Sequence, residues 1–341
     1  MKWSVLSLVA LVGCAVDPDI EVAYKPPPPP PGTEEGCIGV QCTGNSPLYA
    51  ALGIFELSRN PWEVSSRGFS IDQSQIVLAG PNHKLVDLHV DGITLTAYDT
   101  VDHLWKSGIN LPDVRVRIKH SSGEQYDLRI ADPLTTSFYA PLPVATPLFA
   151  YKITYRPAFE HVDWEDLCPY VDPFENGTQG TWAVFWRGDR LDPKTGVFYK
   201  HGEEVGGWFN ISCAGEAPGK VVRTGATYAA MPATTMVQAQ AALDMFTARY
   251  CPNTNERYTK LGTKIDWDDK TGSNTLPPAP GYKPYEAIWN GNGAYCVRTE
   301  YTRWPETEFG GYACDPKPCS DAELASWKSY GEVRSGLVLS P

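Results

Sequence analysis

Nine cysteines punctuate the chain, at Cys14, Cys37, Cys42, Cys168, Cys213, Cys251, Cys296, Cys314 and Cys319, and the compartment they meet decides what they permit it to become. Oxidising surroundings pair thiols into staples, whereas reducing ones leave them as metal ligands or nucleophiles. The N-terminus speaks for export. Met1-Lys2 opens a short apolar stretch that ends in small residues, the form of a secretory signal and too short to span a bilayer permanently. Disulfides are therefore expected. Thirty Gly and thirty Pro against four Met predict many turns and short strands. Eleven Trp and 12% aromatic residues predict a folded protein with apolar cores.

Leu11-Val12-Gly13-Cys14 resembles a bacterial lipobox, in which the thiol is acylated and cleavage between Gly13 and Cys14 makes it the mature N-terminus. An ordinary signal cut a few residues later is the alternative. The lipobox reading takes Cys14 out of the thiol inventory and leaves eight cysteines, an even set. It places the mature chain in the cell envelope, held to a membrane by an N-terminal lipid. Ala15 after the cysteine, where enteric bacteria use aspartate for retention, predicts the outer membrane with its face left open. Cys37-x4-Cys42 and Cys314-x4-Cys319 have the look of two halves of a zinc site, but export favours small local loops. A formal charge of −11 argues against nucleic acid, whose binding starts from a basic patch.

Composition then divides the chain. Residues 1–13 read as the signal. Residues 14–44 read as the lipidated N-terminus and a stalk, in which Pro26 to Pro31 should hold a polyproline II rod of roughly 20 Å. From 45 to 160 the pattern is that of an antiparallel β domain. Leu85–Val90 and Ile93–Tyr98 flank the turn pair Asp91-Gly92. Val114, Val116 and Ile118 alternate with Arg115, Arg117 and Lys119 before a turn through Ser121–Glu124 into Tyr126, Leu128 and Ile130, as in a sheet with one wet face. Residues 161–310 read as an α+β domain with one main helix. Thr235 and Gln238 form a capping box, and Met236, Ala239, Leu243, Phe246 and Tyr250 share a face up to Cys251 and Pro252. Residues 311–341 hold a cysteine loop and a short helix from Ser320, capped by Glu323 and ending before Gly331. The expected fold is mostly β or α+β.

Four segments in order carry a family signature: Ala248-Arg249-Tyr250-Cys251, Gly262-Thr263-Lys264-Ile265-Asp266, Glu286-Ala287-Ile288-Trp289 and Gly293-Ala294-Tyr295-Cys296. Together they resemble the ADYC domain, a bacterial domain frequent in myxobacterial lipoproteins and without an assigned activity, over roughly residues 165–305. Arg249 stands where the family has the aspartate of its motif. The resemblance further implies two cysteines, after Lys220 and near Ala242, where this chain has Val221 and Ala242; their joint loss is what a disulfide between them would produce. The remaining cysteines are then expected to pair as Cys168–Cys213 and Cys251–Cys296, with local pairs Cys37–Cys42 and Cys314–Cys319. A motif position that tolerates arginine for aspartate, at a helix end beside a disulfide, is expected to be structural.

No Gly-x-Ser-x-Gly elbow, His-Glu-x-x-His helix or Walker loop is present, and Ala214–Val221 imitates a phosphate loop only poorly. We assign no catalytic residue, metal or cofactor. Asp266-Trp267-Asp268-Asp269-Lys270-Thr271-Gly272 begins like a calcium loop but places Lys270 at a ligand position, so Asp266 and Asp268 stand as weak binding candidates. The six histidines show no ligand spacing. Trp182, Trp186, Trp208, Trp267, Trp289 and Trp304 would offer sugars a platform if exposed, and the shared strand parity of Trp182 and Trp186 makes them the pair to follow; core packing is the alternative. The leading expectation is a lipid-anchored envelope protein acting in structure or binding, with envelope polysaccharide or protein as partner. A polysaccharide or peptide hydrolase using acids within 163–166 and 266–269 is one alternative, and a carbohydrate-binding module another.

Overall fold

A computed structural model describes residues 54–337, except 79–84, 112, 137, 139–146, 169–181, 193–194, 203–205, 228–229, 231–232, 252–264, 273–284 and 304–313. The signal, the stalk, Cys14 and the expected Cys37–Cys42 pair lie outside the described residues. In chain order the strands are β1 (Glu56–Ser58), β2 (Phe69–Leu78), β3 (Leu85–Asp91), β4 (Thr94–Asp99), β5 (Leu104–Ser107), β6 (Val114–His120), β7 (Gln125–Thr136), β8 (Leu148–Pro157), β9 (Glu165–Asp166), β10 (Ala183–Arg187), β11 (Asp189–Asp192), β12 (Val197–His201), β13 (Trp208–Cys213), β14 (Ile265–Asp269), β15 (Tyr285–Asn290), β16 (Gly293–Val297) and β17 (Val333–Leu337). The helices are α1 (Ala217–Thr224), α2 (Met236–Thr247) and α3 (Asp321–Ala325).

The fold is mostly β and its named strands pair antiparallel, as the alternation predicts. Val114, Val116 and Ile118 of β6 face Ile130, Leu128 and Tyr126 of β7 across the hairpin, which closes at Gly123 with a positive φ. The β3–β4 turn falls one residue later than expected. Its residues are Gly92 and Ile93, with Asp91 opposite Thr94, and the shift buries Ile93 in the core beside Phe55 and Trp186.

The largest sheet has the order β1-β13-β10-β8-β7-β6-β2, with β9 added to β8. It corrects the expected boundary between 160 and 161. Ala183 and Val184 of β10 pair with Tyr151 and Ala150 of β8, so one sheet runs through both proposed domains. Ala183–Trp186 of β10 and Phe209–Cys213 of β13 are buried without alternation because both faces are covered there. On one face Phe185, Ile211, Tyr151 and Ile153 pack with Leu85, Leu88, Val90 and Leu95 from the β3-β4-β5 sheet. On the other, Val184 and Trp186 pack with α1 and α2, and through them with Trp267, Ala287, Trp289 and Val333 of the four-stranded sheet β14-β17-β15-β16.

Sandwiched this way, α2 is buried from Ala239 to Thr247 on every side, not on the single stripe expected of a surface helix. It starts at the Thr235–Gln238 capping box. It ends at Thr247, earlier than expected, with Ala248 left-handed at φ 50°. Helix α1 is an addition to the expected single main helix. Gly219 permits it, since a Cβ there would lie 2.3 Å from the Cys213 carbonyl oxygen. The C-terminal segment is no appendage either: β17 sits inside the four-stranded sheet, between β14 and β15.

Cys168 is bonded to Cys213, as the family resemblance implies. The other two expected pairs are replaced by Cys251–Cys314 and Cys296–Cys319. Residues 317–319 run beside β16, with Val297 N donating to the Lys317 carbonyl and Cys319 N to the Val297 carbonyl. Extended in this way, the segment from Cys314 to Cys319 cannot close on itself. Cys296 turns into a small cluster with Ile288, Leu324 and Trp327, where Cys319 meets it, and Cys314 reaches the end of the α2 segment. Loops of these sequence separations, 45, 63 and 23 residues, stabilise a fold by about 3–4 kcal/mol each in the chain-entropy account. Nonreducing peptide mapping is expected to recover Cys251 with Cys314 and Cys296 with Cys319; a Cys251–Cys296 peptide would contradict this pairing.

Candidate functional site

The motif Ala248-Arg249-Tyr250-Cys251 is the place to look for chemistry, and its local geometry follows from the end of α2. The left-handed Ala248 turns the chain out of the helix, with Arg249 N donating back to the Asp244 carbonyl at 2.9 Å. Tyr250 is thereby pressed onto Trp289 of β15, with ring centroids 5.5 Å apart and planes 25° from parallel. Its hydroxyl donates to Glu286 Oε1 at 2.5 Å and accepts from Arg303 N at 3.1 Å. Glu286 also accepts from Arg303 Nε at 3.0 Å, from Arg303 Nη2 at 3.1 Å and from Ser335 Oγ at 2.8 Å. Trp289 Nε1 donates to the same serine oxygen at 2.8 Å.

Arg303 does a second job. Its Nη1 donates to the Phe246 carbonyl at 3.0 Å and its Nη2 to the Met245 carbonyl, so a cation closes the last turn of α2, where helix carbonyls lack partners and favour positive charge. Tyr250, Glu286, Trp289, Arg303 and Ser335 are all buried. A carboxylate with four donors and a guanidinium spread over that carboxylate and two carbonyls form a satisfied, buried network. Each of the five residues is at most 3% exposed.

Arg249, in the position of the motif's aspartate, is buried beside Asp244, with Nη1 3.4 Å from Oδ1. Gln240 Nε2 donates to the same oxygen at 2.8 Å while its Oε1 accepts from Phe198 N at 2.8 Å. The arginine neutralises a fully buried carboxylate. Gly293 holds β16 close, at φ 108° and with a built Cβ 3.0 Å from the Arg249 carbonyl oxygen. The backbone of Arg249, which accepts from Ala294 N at 3.2 Å, and the side chain of Tyr250 thus fasten the end of α2 to the four-stranded sheet.

The remaining candidates separate in space. Asp266 and Asp268 lie on β14, not in a cation loop. Asp268 is opposite Arg334 of β17 and accepts from its Nε at 3.0 Å. Among the described residues no group of three or more His, Cys, Asp or Glu side chains converges for a metal ion. The end of β14 does border a small cleft lined by Thr224, Gly225, Thr234, Gln238, Trp267 and Lys270 among others, in which Lys270 pairs with Glu332 at 2.8 Å. Trp186 is wholly buried, edge-on to Phe55, and Trp182 packs against the same cluster. Their shared parity points both into the core, which removes them as a sugar platform. Trp267 and Trp289 are likewise buried, Trp208 lies 3.7 Å under the Arg190 guanidinium, and Trp304 is outside the described residues. Glu165 accepts from the Tyr155 hydroxyl at 2.6 Å and Asp166 pairs with Lys152 at 3.5 Å.

Two groups were not singled out by the sequence. His201 Nδ1 lies 2.5 Å from Asp189 Oδ1 and Nε2 lies 2.6 Å from the Thr234 carbonyl. Both neighbours are acceptors, an arrangement that favours the doubly protonated ring, and the Asp189 hydrogen bond raises its pKa. Glu216, the N-cap residue of α1, is fully buried and burial pushes its carboxyl up to about 8. Its Oε2 accepts from Ser212 Oγ at 3.1 Å and Cys213 N at 3.2 Å. The signal for His201 would have been its place across a hairpin from Asp189; Glu216 had none beyond a charge just after an apolar strand.

The model of the ADYC domain matches residues 108–303, more than half of the 341 residues. The chain belongs to the ADYC-domain family. The match starts well before residue 165, because the sheet strands β7 and β8 are part of the same unit as β10 and β13. No curated protein and no solved structure matches the chain. The family's motif, read on this fold, is the clasp that joins α2, β15 and β17.

Proposed function

We propose that this ADYC-domain protein is a lipid-anchored component of the bacterial cell envelope, presenting its domain as a binding or scaffolding module and not as a catalyst. The observation that carries the reading is the enclosure of the family motif: Tyr250 and its partners Glu286 and Arg303 are buried in mutual hydrogen bonds, leaving no acid, base or nucleophile of the motif open to a substrate. Three disulfides among the described residues fit an oxidising compartment, and Leu11-Val12-Gly13-Cys14 fits an acylated N-terminus. The Pro-rich stalk would then hold the module off the membrane, and Ala15 would direct it to the outer membrane. Palmitate labelling in a bacterial host is expected for the wild-type chain and is expected to vanish in Cys14→Ala. Unchanged labelling of that variant would remove the anchor from the proposal.

A further inference from the structure

The face of the large sheet that carries α1 and α2 over β10 continues past them over β6, β7 and β8, where alternation leaves charged residues in solvent. Most of these are matched. Arg117 donates to Asp127 at 2.8 Å, Lys119 pairs with Asp72 at 2.8 Å, Arg129 Nε donates to Asp113 at 3.0 Å and Lys152 pairs with Asp166 at 3.5 Å. Arg115 and Arg156 are not. Arg115 stands directly opposite Arg129, a like-charge placement that costs stability. Arg156 stands opposite Asp127, whose carboxylate Arg117 has taken. Among the described residues neither has an ion pair, and Arg156 Nε is buried with no hydrogen-bond partner.

Both instead lie against one indole. The guanidinium carbons of Arg156 and Arg115 are 4.6 and 5.7 Å from the Trp164 ring centroid. Stacking holds the planar groups still, so the entropy of ordering them is already spent before a ligand arrives. Just after β8, in the loop that leads to Trp164, Phe159 is 76% exposed at φ 70°, a bulky residue in a conformation that costs energy unless something uses it. Arg117 backs that ring at 4.5 Å. Two unmatched guanidiniums beside an outward aromatic ring, on a chain of net charge −11, make a local anion site with an apolar shelf.

The surroundings narrow the ligand. Glu160 and Asp163 are exposed within the same loop, and they would repel a dense polyanion such as nucleic acid. A chain with one carboxylate per ring avoids that repulsion, and its pyranose faces suit an aromatic surface. We infer that this face binds an acidic polysaccharide, with sugar carboxylates accepting bidentate hydrogen bonds from Arg115 and Arg156 and a sugar ring lying on Phe159. The inference rests on the binding reading above and supplies its ligand class.

The test is calorimetric titration of the full chain, in detergent, with a tetramer of galacturonate, its neutral methyl ester and inorganic phosphate. The acidic tetramer should bind, more weakly as salt rises, and the ester should not. Arg115→Ala with Arg156→Ala should weaken binding at least tenfold, and Arg115→Lys with Arg156→Lys should not restore it, because an ammonium lacks the planar fork. Phe159→Asn, which tolerates the left-handed backbone, should weaken binding severalfold with the melting temperature unchanged, separating a lost contact from a lost fold. Undiminished binding by the double alanine variant, equal binding of the ester, or phosphate binding as tight as the tetramer's would overturn the inference. Retention of the wild-type chain on purified envelope polysaccharide with no binding of the tetramer would overturn it too, while leaving the broader binding reading in place.

Discussion

Arg303→Ala is expected to lower the free energy of unfolding by about 3–5 kcal/mol, the cost of breaking a buried ion pair from one side. The loss has two sources. Glu286 keeps the Tyr250 and Ser335 hydroxyls and a long 3.4 Å bond from the backbone N of residue 303, all neutral donors for a carboxylate removed from water, and the Met245 and Phe246 carbonyls at the end of α2 lose the cation that closes them. A neutral replacement of both partners behaves differently, because apolar side chains of similar volume often match a buried pair in stability. The double variant Glu286→Leu with Arg303→Met should therefore be less destabilised than the sum of its single changes, and the difference is the coupling energy of the pair. Denaturant unfolding with the disulfides intact measures all five proteins: the wild type, Arg303→Ala, the two single changes and the double variant. A loss under about 1 kcal/mol for Arg303→Ala, near the value of an exposed pair, would mean that water reaches the network and that the motif is open to ligands after all.

The same network shows what was legible in the sequence. Hairpin β6–β7 could be read residue by residue, since Val114, Val116 and Ile118 alternate with charges and Gly123 supplies the turn. The start of α2 was equally plain in Thr235 and Gln238. Its end was not, because the left-handed position is filled by Ala248 where glycine is the usual signal. Local pattern also failed where burial is two-sided: Val184-Phe185-Trp186 has no period, and nothing in it names Ala150 and Tyr151 as neighbours across the supposed domain boundary. The disulfides illustrate a related limit. An even number of thiols in an exported chain implied staples, but the short distance from Cys314 to Cys319 suggested a local loop, whereas an extended segment along β16 sends the two thiols to different partners. Glu286 did leave a trace, as a charge leading the apolar run Ala287-Ile288-Trp289, which is rare in a buried strand unless it is paired. Its partner Arg303 carried no comparable mark. Of the two Arg residues over Trp164, Arg115 was visible on the wet side of alternating strand β6 while Arg156 lies on β8, and which of these charges lacks a carboxylate is a fact of register between strands that could not be read from the alternation.

Glu216→Gln is expected to raise stability at pH 8.5 by roughly 4–5 kcal/mol relative to the wild type and to leave it within about 1 kcal/mol at pH 4. Burial, the largest influence on this group, holds its carboxyl protonated up to about pH 8 in the folded protein, against 4.5 for an ordinary glutamate. Between those values the folded state binds a proton that the unfolded chain has released. Stability from this group is thus complete below about pH 4.5 and is lost as the pH climbs to 8, the reverse of a salt-bridged acid. Glutamine keeps an acceptor for Ser212 Oγ and Cys213 N and cannot ionise, so the slope disappears with little change in packing. Oε1, which has no hydrogen-bond partner among the described residues, becomes an amide group that must be fitted in the same space, and that sets the penalty allowed at pH 4. Other groups titrate in both proteins and cancel in the difference. Unfolding curves of the two chains that run parallel from pH 4 to pH 8.5 would show that Glu216 is ionised throughout, and the α1 N-terminus would then have to hold a charge rather than a neutral acid.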